Sequence, residues 1–247
     1  MNVEIWTDIA CPWCYIGKAR FERALTAFEH RDHVEVVYRS FELNPKAGNG
    51  TTPIIDAVAA QYGRTREQQV AREEYAASEA RAEGLGFRIG GRVHGNTFEL
   101  HRLLHFAKAH DLRTELMNLA FQVNFTDERS IYDEETLVSM AVEVGLHEAA
   151  VREVLNDADA YAEDIRADER QAAELGAGGV PFFVLDRQYG VAGLQSVELF
   201  TQALEQAWQN RSAAQHWHPA TAALLPFLHG RAPPPGKLPR RRGPAAP

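Results

Sequence analysis

The sequence predicts an α/β fold in which helices cover a mixed sheet and a large α-helical insertion separates the second strand from a C-terminal hairpin. Three observations lead to this prediction. A strand pattern of period two at residues 3–7 runs directly into an amphipathic helix. Residues 52–175 then have almost continuous helical patterns. Strand character returns in the segment GGVPFFVLDRQYGVAG, residues 178–193, before a last helix.

The first strand and helix carry the only two cysteines of the chain, within IWTDIACPWCYIGKARFERAL. Alternating apolar and polar residues over 3–7 indicate a strand. Pro12 is typical of a first helical position, because it lacks the N–H group that would be unpaired there. That start places Cys11 at an exposed helix tip and turns Cys14 toward the core.

The later elements are predicted from periodicity and from end signals. His33 to Leu43 forms a second strand, and Asp186 with Arg187 forms the hairpin turn. Ser196 caps a last amphipathic helix. The helical stretch divides into segments near 52–62, 65–83, 97–110, 112–125, 133–144, 147–156 and 159–175. The end signals within it are the caps Thr97 and Asp133 and the stop Gly145.

Charge and hydropathy exclude two classes of partner. Of the 247 residues, 45% are hydrophobic and 24% charged, which is typical of a globular protein with a sizeable core. Residues 211–247 carry six basic and no acidic side chains, so residues 1–210 hold 20 basic against 34 acidic ones, a net charge of −14. The negative charge of residues 1–210 argues against nucleic acid as a partner. No apolar run approaches the roughly 18 residues of a membrane helix, so we expect no membrane partner.

Location and domain organisation follow from the same features. The N-terminus has neither a basic leader nor a long apolar run, so we expect a cytoplasmic protein. We expect one sheet-containing domain built from residues 1–45 and 176–210, with a helical domain inserted at 46–175. Residues 211–247 form a basic, Pro-rich tail that is predicted to be largely disordered. The oligomeric state stays open between a monomer and a homodimer.

Three interpretations of the cysteine pair are open: a redox couple, half of a metal site, or two structural thiols. A reducing cytoplasm disfavours a purely structural disulfide. A helix N-terminus favours the redox couple, because its unpaired N–H groups and dipole stabilise a thiolate. Cys11 is then the nucleophile and Cys14, three residues on, the resolving thiol. Pro12 and Trp13 contribute stiffness and apolar contact at the mouth of the site.

A metal site is less well supported by the sequence. The segment HRLLH, His101 to His105, has zinc-like spacing, but it lies far from Cys14 and the chain has no second cysteine pair. We therefore expect no metal. His101 itself has two interpretations, as a packing residue on a helix face or, together with Asn96, as a side chain that lines the substrate cleft near the thiols.

Four motifs in collinear order resemble the FrnE-like branch of the DsbA family of thiol oxidoreductases: DIACPWCYIGKARFE, SFELNP, GNTFELHRLLHFA and GGVPFFVLDRQYGVAGLQ. The resemblance covers about residues 1–210 and implies a thioredoxin-like fold with a large helical insertion. It also implies an attacking Cys11, a resolving Cys14 and a cis-proline at Pro181 that shapes the substrate groove. Val180 would offer backbone pairing to a bound peptide or thiol.

The leading hypothesis is a thiol–disulfide oxidoreductase that works without a cofactor on protein or small-molecule disulfides, through a Cys11 mixed disulfide resolved by Cys14. Similar proteins include glutathione-dependent kappa-class transferases and 2-hydroxychromene-2-carboxylate isomerases, which usually carry serine in place of Cys11. One alternative is therefore a glutathione-dependent isomerase or transferase, with an aromatic or polyketide-like substrate and glutathione as co-substrate. A second alternative is a chaperone-like protein whose helical block binds clients without catalysis.

Overall fold

The strands and helices follow the predicted order. The computed structural model describes residues 1–48, 50–127 and 129–211. Its strands are β1 Asn2–Thr7, β2 Glu35–Ser40, β3 Thr52–Pro53, β4 Val93–His94, β5 Phe182–Leu185 and β6 Tyr189–Ala192. Its helices are α1 Pro12–Ala27, α2 Ile54–Gln61, α3 Arg66–Ala82, α4 Phe98–Lys108, α5 Arg113–Phe125, α6 Glu134–Glu143, α7 Glu148–Asn156, α8 Ala162–Glu174 and α9 Val197–Asn210. The predicted disorder of the tail concerns residues 212–247, outside the described part of the chain.

The main sheet is mixed and has the strand order β2-β1-β5-β6. β1 runs parallel to β2 and antiparallel to β5, which pairs antiparallel with β6. In this register Ile5 lies between Tyr38 and Phe183. The parallel pair needs a crossover, and α1 supplies it. The predicted α/β class is therefore confirmed, with the helices α2 to α8 inserted between β2 and β5.

Both faces of β1 are buried, which makes it the centre of the fold. On one face, Phe21 of α1, Phe183 of β5 and Phe200 of α9 form an aromatic cluster with ring centroids 4.6–5.6 Å apart. On the other face, Trp6 packs on Phe182 and donates its indole N–H to the Asp168 carbonyl of α8 at 2.7 Å. Helices therefore cover the sheet on both sides.

Two local features differ from the sequence prediction. β3 and β4 pair antiparallel at the edge of the helical block, where the sequence predicted helix or loop. Thr97 stands at the start of α4 but makes no capping bond with its side chain. The preceding Asn96 provides the bond instead, because its Oδ1 accepts the Phe98 N–H at 2.6 Å. The predicted caps Asp133 and Ser196 are confirmed.

A buried polar cluster joins α8 to β2 and α4. The Asp168 carboxylate accepts the Ser40 N–H at 2.9 Å and the Arg39 guanidinium at 3.1 Å. His105 Nε2 lies 3.3 Å from the same carboxylate. Burial opposes the charge of Asp168, but the bonds from His105 and Ser40 hold its pKa below the ordinary 3.8. The carboxylate therefore stabilises the packing of α8 on the sheet.

Asp168→Asn is expected to lower the free energy of unfolding by about 3 kcal/mol near pH 7, because the buried Arg113 and the part-buried Arg39 lose the counter-charge of Asp168. A carboxylate with a lowered pKa contributes fully above its ordinary pKa of 3.8, and the contribution is lost as pH falls through the folded-state value. The difference between wild type and variant should thus shrink in acid. Urea unfolding at several pH values measures it. The matched control is Asp164→Asn on the exposed face of the same helix, and an equal loss in both variants would contradict this account.

Candidate active site

The start of α1 holds the first cysteine in a fixed position. Cys11 is the cap residue with extended backbone, and Pro12 is the first helical residue, as the sequence predicted. The Cys11 N–H donates to the Asp8 carbonyl at 3.1 Å, and the Cys11 carbonyl accepts the Cys14 N–H at 3.1 Å. The strand β1, a tight turn and the helix therefore aim the Cys11 side chain in one direction.

Cys11 is not the exposed residue that the sequence predicted. Its relative exposure is 2%, because the loop that precedes β5 covers it. The Cys11 thiol donates to the Val180 carbonyl, with an Sγ to oxygen distance of 3.7 Å. Cys11 belongs to the wall of a cavity of about 370 Å³, which gives reagents a route to the thiol.

Cys14 lies beneath Cys11 and is also a free, buried thiol. Burial raises its pKa well above the ordinary value of 9.0. The neighbouring Cys11 raises this pKa further, through a side-chain hydrogen bond and through charge repulsion. Hydrogen bonds from the Asp8 backbone and the Thr7 side chain oppose the shift. Cys14 is therefore a protonated thiol beside Cys11.

The loop before β5 approaches α1 closely. The peptide bond between Val180 and Pro181 is cis, and Pro181 is buried. A Cβ atom added at Gly17 would lie 3.1 Å from the Pro181 ring. Glycine at this helical position therefore lets the loop pack against α1, next to the thiols. Whether Val180 and Pro181 bind a substrate stays a prediction.

The cavity brings together distant parts of the chain. Pro12 and Trp13 of α1 form one wall, and Val180 with Gly178 and Gly179 forms another. The opposite side is built by α2, α3 and the segment that joins them. Of the predicted site residues, Cys11, Pro12, Trp13 and Val180 therefore line one cavity.

Asn96 and His101 lie behind this cavity and do not line it. Asn96 Nδ2 donates to Glu42 at 2.8 Å, which makes Asn96 a structural residue of the α4 start. His101 has no exposed surface, and its Nδ1 lies 3.1 Å from Ser40 Oγ. Its Nε2 lies 3.6 Å from the carboxylate of Asp8, which does line the cavity. Neither side chain therefore belongs to the cavity wall, and a part for them in substrate binding stays a prediction.

The two histidines of the HRLLH motif share one hydrogen-bond partner. His101 and His105 both approach the Ser40 hydroxyl, at 3.1 Å each. Within residues 1–48, 50–127 and 129–211, no group of three or more His, Cys, Asp or Glu side chains is arranged to hold a metal ion.

No helix in this part of the chain is long and apolar enough to span a membrane.

Sequence reasoning missed the residues that α3 and its preceding loop add to the cavity. They are Arg64, Gln69, Arg72, Glu73 and Ala76. The segment REQQVAREEYAASEARA is so polar that it is typical of a solvent-exposed helix. A signal exists in its alanines, because Ala76, Ala77 and Ala80 are buried at helical spacing together with Gln69 and Glu73. That face could have been identified as a contact face.

Comparison with known proteins shows similarity over most of the chain. A crystal structure of a probable DsbA oxidoreductase from Streptomyces coelicolor is 56% identical, with a TM-score of 0.83 over 85% of this chain and 91% of that one. The uncharacterised protein YwbO of Bacillus subtilis is 26% identical over 207 residues, 83% of this chain and 96% of its own length.

A more distant solved structure shares the fold. It is the cytosolic disulfide reductase DsbM from Pseudomonas aeruginosa with GSH, which is 15% identical and has a TM-score of 0.56 over 87% of this chain and all of its own. Identity this low supports the fold alone. The model of the DSBA-like thioredoxin domain matches residues 2–205, which include both thiols, the cis-proline and every helix from α1 to α8. The chain therefore belongs to the DSBA-like thioredoxin domain family.

Proposed function

We propose that this protein is a thiol–disulfide oxidoreductase in which Cys11 attacks and Cys14 resolves. The observation that carries the proposal is the position of the two free thiols. Cys11 caps α1 in the wall of the cavity, and Cys14 lies directly behind it in the first turn. A helix N-terminus stabilises a thiolate, which is the species that attacks disulfides. We place its activity in the cytoplasm.

The exchange proceeds in two balanced steps. The Cys11 thiolate attacks one sulfur of a substrate disulfide, whose S–S bond breaks and releases one half as a thiolate. The thiolate of Cys14 then attacks the Cys11 sulfur of the mixed disulfide and releases the second half. The substrate gains two electrons and two protons as two thiols, and the protein dithiol becomes a Cys11–Cys14 disulfide. The reverse sequence oxidises a substrate dithiol.

The environment of Cys14 supports this order of events. Burial is the main reason for its raised pKa, and the Cys11 thiol and its charge are the next. A mixed disulfide at Cys11 removes that hydrogen bond and that charge. The pKa of Cys14 then falls, so its proton is lost more easily once there is a disulfide to resolve.

A second candidate function is a glutathione-dependent isomerase or transferase. The shared fold of a reductase solved with GSH supports testing it. In this case glutathione would bind saturably to a variant with serine at Cys11 and Cys14, and turnover would survive the loss of Cys14. Calorimetric titration with glutathione measures the binding. An absence of binding would argue against this candidate and leave the exchange mechanism intact.

Serine variants test the proposed roles directly. Cys11→Ser should abolish reduction of model disulfides, because the nucleophile is lost, whereas Cys14→Ser should accumulate mixed disulfides that mass spectrometry detects. Full exchange activity in Cys11→Ser would refute the proposal.

For the wild type, titration against a glutathione buffer assigns the direction of electron flow. A reduction potential of about −120 mV indicates an oxidant, and one of about −270 mV indicates a reductant.

The pH titration of Cys14 tests the influence of Cys11 on it. In the reduced wild type, Cys14 should lose its proton only at pH values well above 9.0, because its pKa is raised. Cys11→Ala removes the neighbouring thiol and its charge, so the apparent pKa of Cys14 should fall relative to wild type while burial keeps it elevated. NMR titration of the cysteine Cβ carbons follows each thiol without modifying it. An unchanged pKa in Cys11→Ala would show that burial alone protects Cys14.

A further inference from the structure

Some charged groups of the cavity wall are paired with an opposite charge or with backbone N–H groups, and others are not. Glu73 is buried and accepts a hydrogen bond from the buried Arg92, so these two charges cancel. The Asp8 carboxylate accepts the backbone N–H groups of Ala10 at 3.1 Å and Leu43 at 2.7 Å. Two further guanidinium groups line the same cavity and lack a carboxylate partner among the described residues.

Arg64 is the first of them, and neutral groups hold its side chain in place. Its Nη1 donates to the buried Gln69 Oε1 at 2.9 Å, and its guanidinium lies 4.6 Å from the Tyr62 ring centroid. Neither contact neutralises the charge. One of the five donor N–H groups is used in this way, which leaves others for a ligand.

Arg72 is the second and lies on α3, also in the cavity wall. Both guanidinium groups line the same cavity, and burial and then the positive charge of Arg72 lower the pKa of Arg64. Like charges in proximity cost free energy unless an anion joins them. Residues 1–210 are strongly acidic overall, but this pair of arginines gives the mouth of the thiol cavity a local positive charge.

The rest of the mouth is apolar and partly open. Trp13, Leu43 and Tyr62 line it, and the exposed fractions of Leu43 and Tyr62 are 37% and 55%. The cavity volume of about 370 Å³ falls within the range of small-molecule sites. A ligand complementary to this surface has an anionic group that pairs with the two arginines. It also has an apolar part that packs on Trp13 and Tyr62.

We propose that Arg64 and Arg72 bind the carboxylate of a small, partly apolar disulfide substrate and so place its sulfur atoms against Cys11. Guanidinium groups suit this purpose, because their planar N–H groups match the two oxygens of a carboxylate. The proposal rests on the exchange function proposed above and adds the substrate class to it.

The test compares two aromatic disulfides that differ in charge. Dithiobis(nitrobenzoate) carries carboxylates, whereas dithiodipyridine is uncharged near neutral pH, and both release products that are followed by their absorbance. Stopped-flow absorbance gives the second-order rate constant for their reduction by the reduced protein. The variants are Arg64→Gln, Arg72→Gln and the double variant. The matched control is Arg66→Gln, which removes the same charge from the start of α3 but from a side chain outside the cavity wall, 3.6 Å from Asp56.

Arg64→Gln is expected to slow the reduction of the carboxylate disulfide about tenfold, equivalent to about 1.4 kcal/mol. Arg72→Gln should slow it about threefold, because the more exposed Arg72 is better screened by solvent. Both variants should change the rate on dithiodipyridine by less than about twofold, and Arg66→Gln should behave as wild type on both. Added salt should reduce the ratio of the wild-type rate to the double-variant rate on the carboxylate disulfide, because it screens the attraction of the two arginines.

Three outcomes would overturn the proposal. The first is equal slowing of both disulfides in folded Arg64→Gln, which would indicate damage to the thiol site. The second is an unchanged rate in the double variant, and the third is an equal effect of Arg66→Gln, which would indicate a diffuse field. Failure of the exchange function is seen separately, because Cys11→Ser would then reduce the uncharged disulfide as fast as wild type. Thermal unfolding verifies that each variant is folded.

Discussion

The burial of β1 on both faces is the constraint on which the rest of the structure depends. Its neighbours β2 and β5 hold its register, and aromatic residues pack on either side of it. Because β1 cannot shift, the turn after it delivers Cys11 to one fixed point at the N-terminus of α1. The loop that brings Val180 to the same point enters the neighbouring strand β5. One strand pairing therefore positions both sides of the thiol site.

The two thiols are the same chemical group but have different surroundings. They are identical side chains three residues apart, yet one faces a cavity and the other faces the interior of the fold. Burial disfavours a thiolate at Cys14, and the nearby Cys11 adds to this penalty. The fold thus gives the two cysteines different surroundings, which supports the different roles proposed for them.

The sequence was sufficient where local signals agree with tertiary packing. Pro12 at a helix start, Ser196 as a cap and the Asp186–Arg187 turn, where both residues have positive φ, were all predictable from short-range rules. The burial of Cys11 was not, because it depends on a loop 169 residues away in the chain. Arg64 and Arg72 were missed for a similar reason, since a polar helix and the loop before it have the same sequence character whether they line a cavity or face water.

The ion pairs of Arg20 with Glu79 and Glu83 tie α3, which forms part of the cavity wall, to α1, which carries the thiols. These bonds join the two helices at a point away from the cavity. The position of α3 relative to α1 therefore rests in part on residues that do not line the cavity, so the lining side chains can differ between related proteins without loss of this link between the two helices.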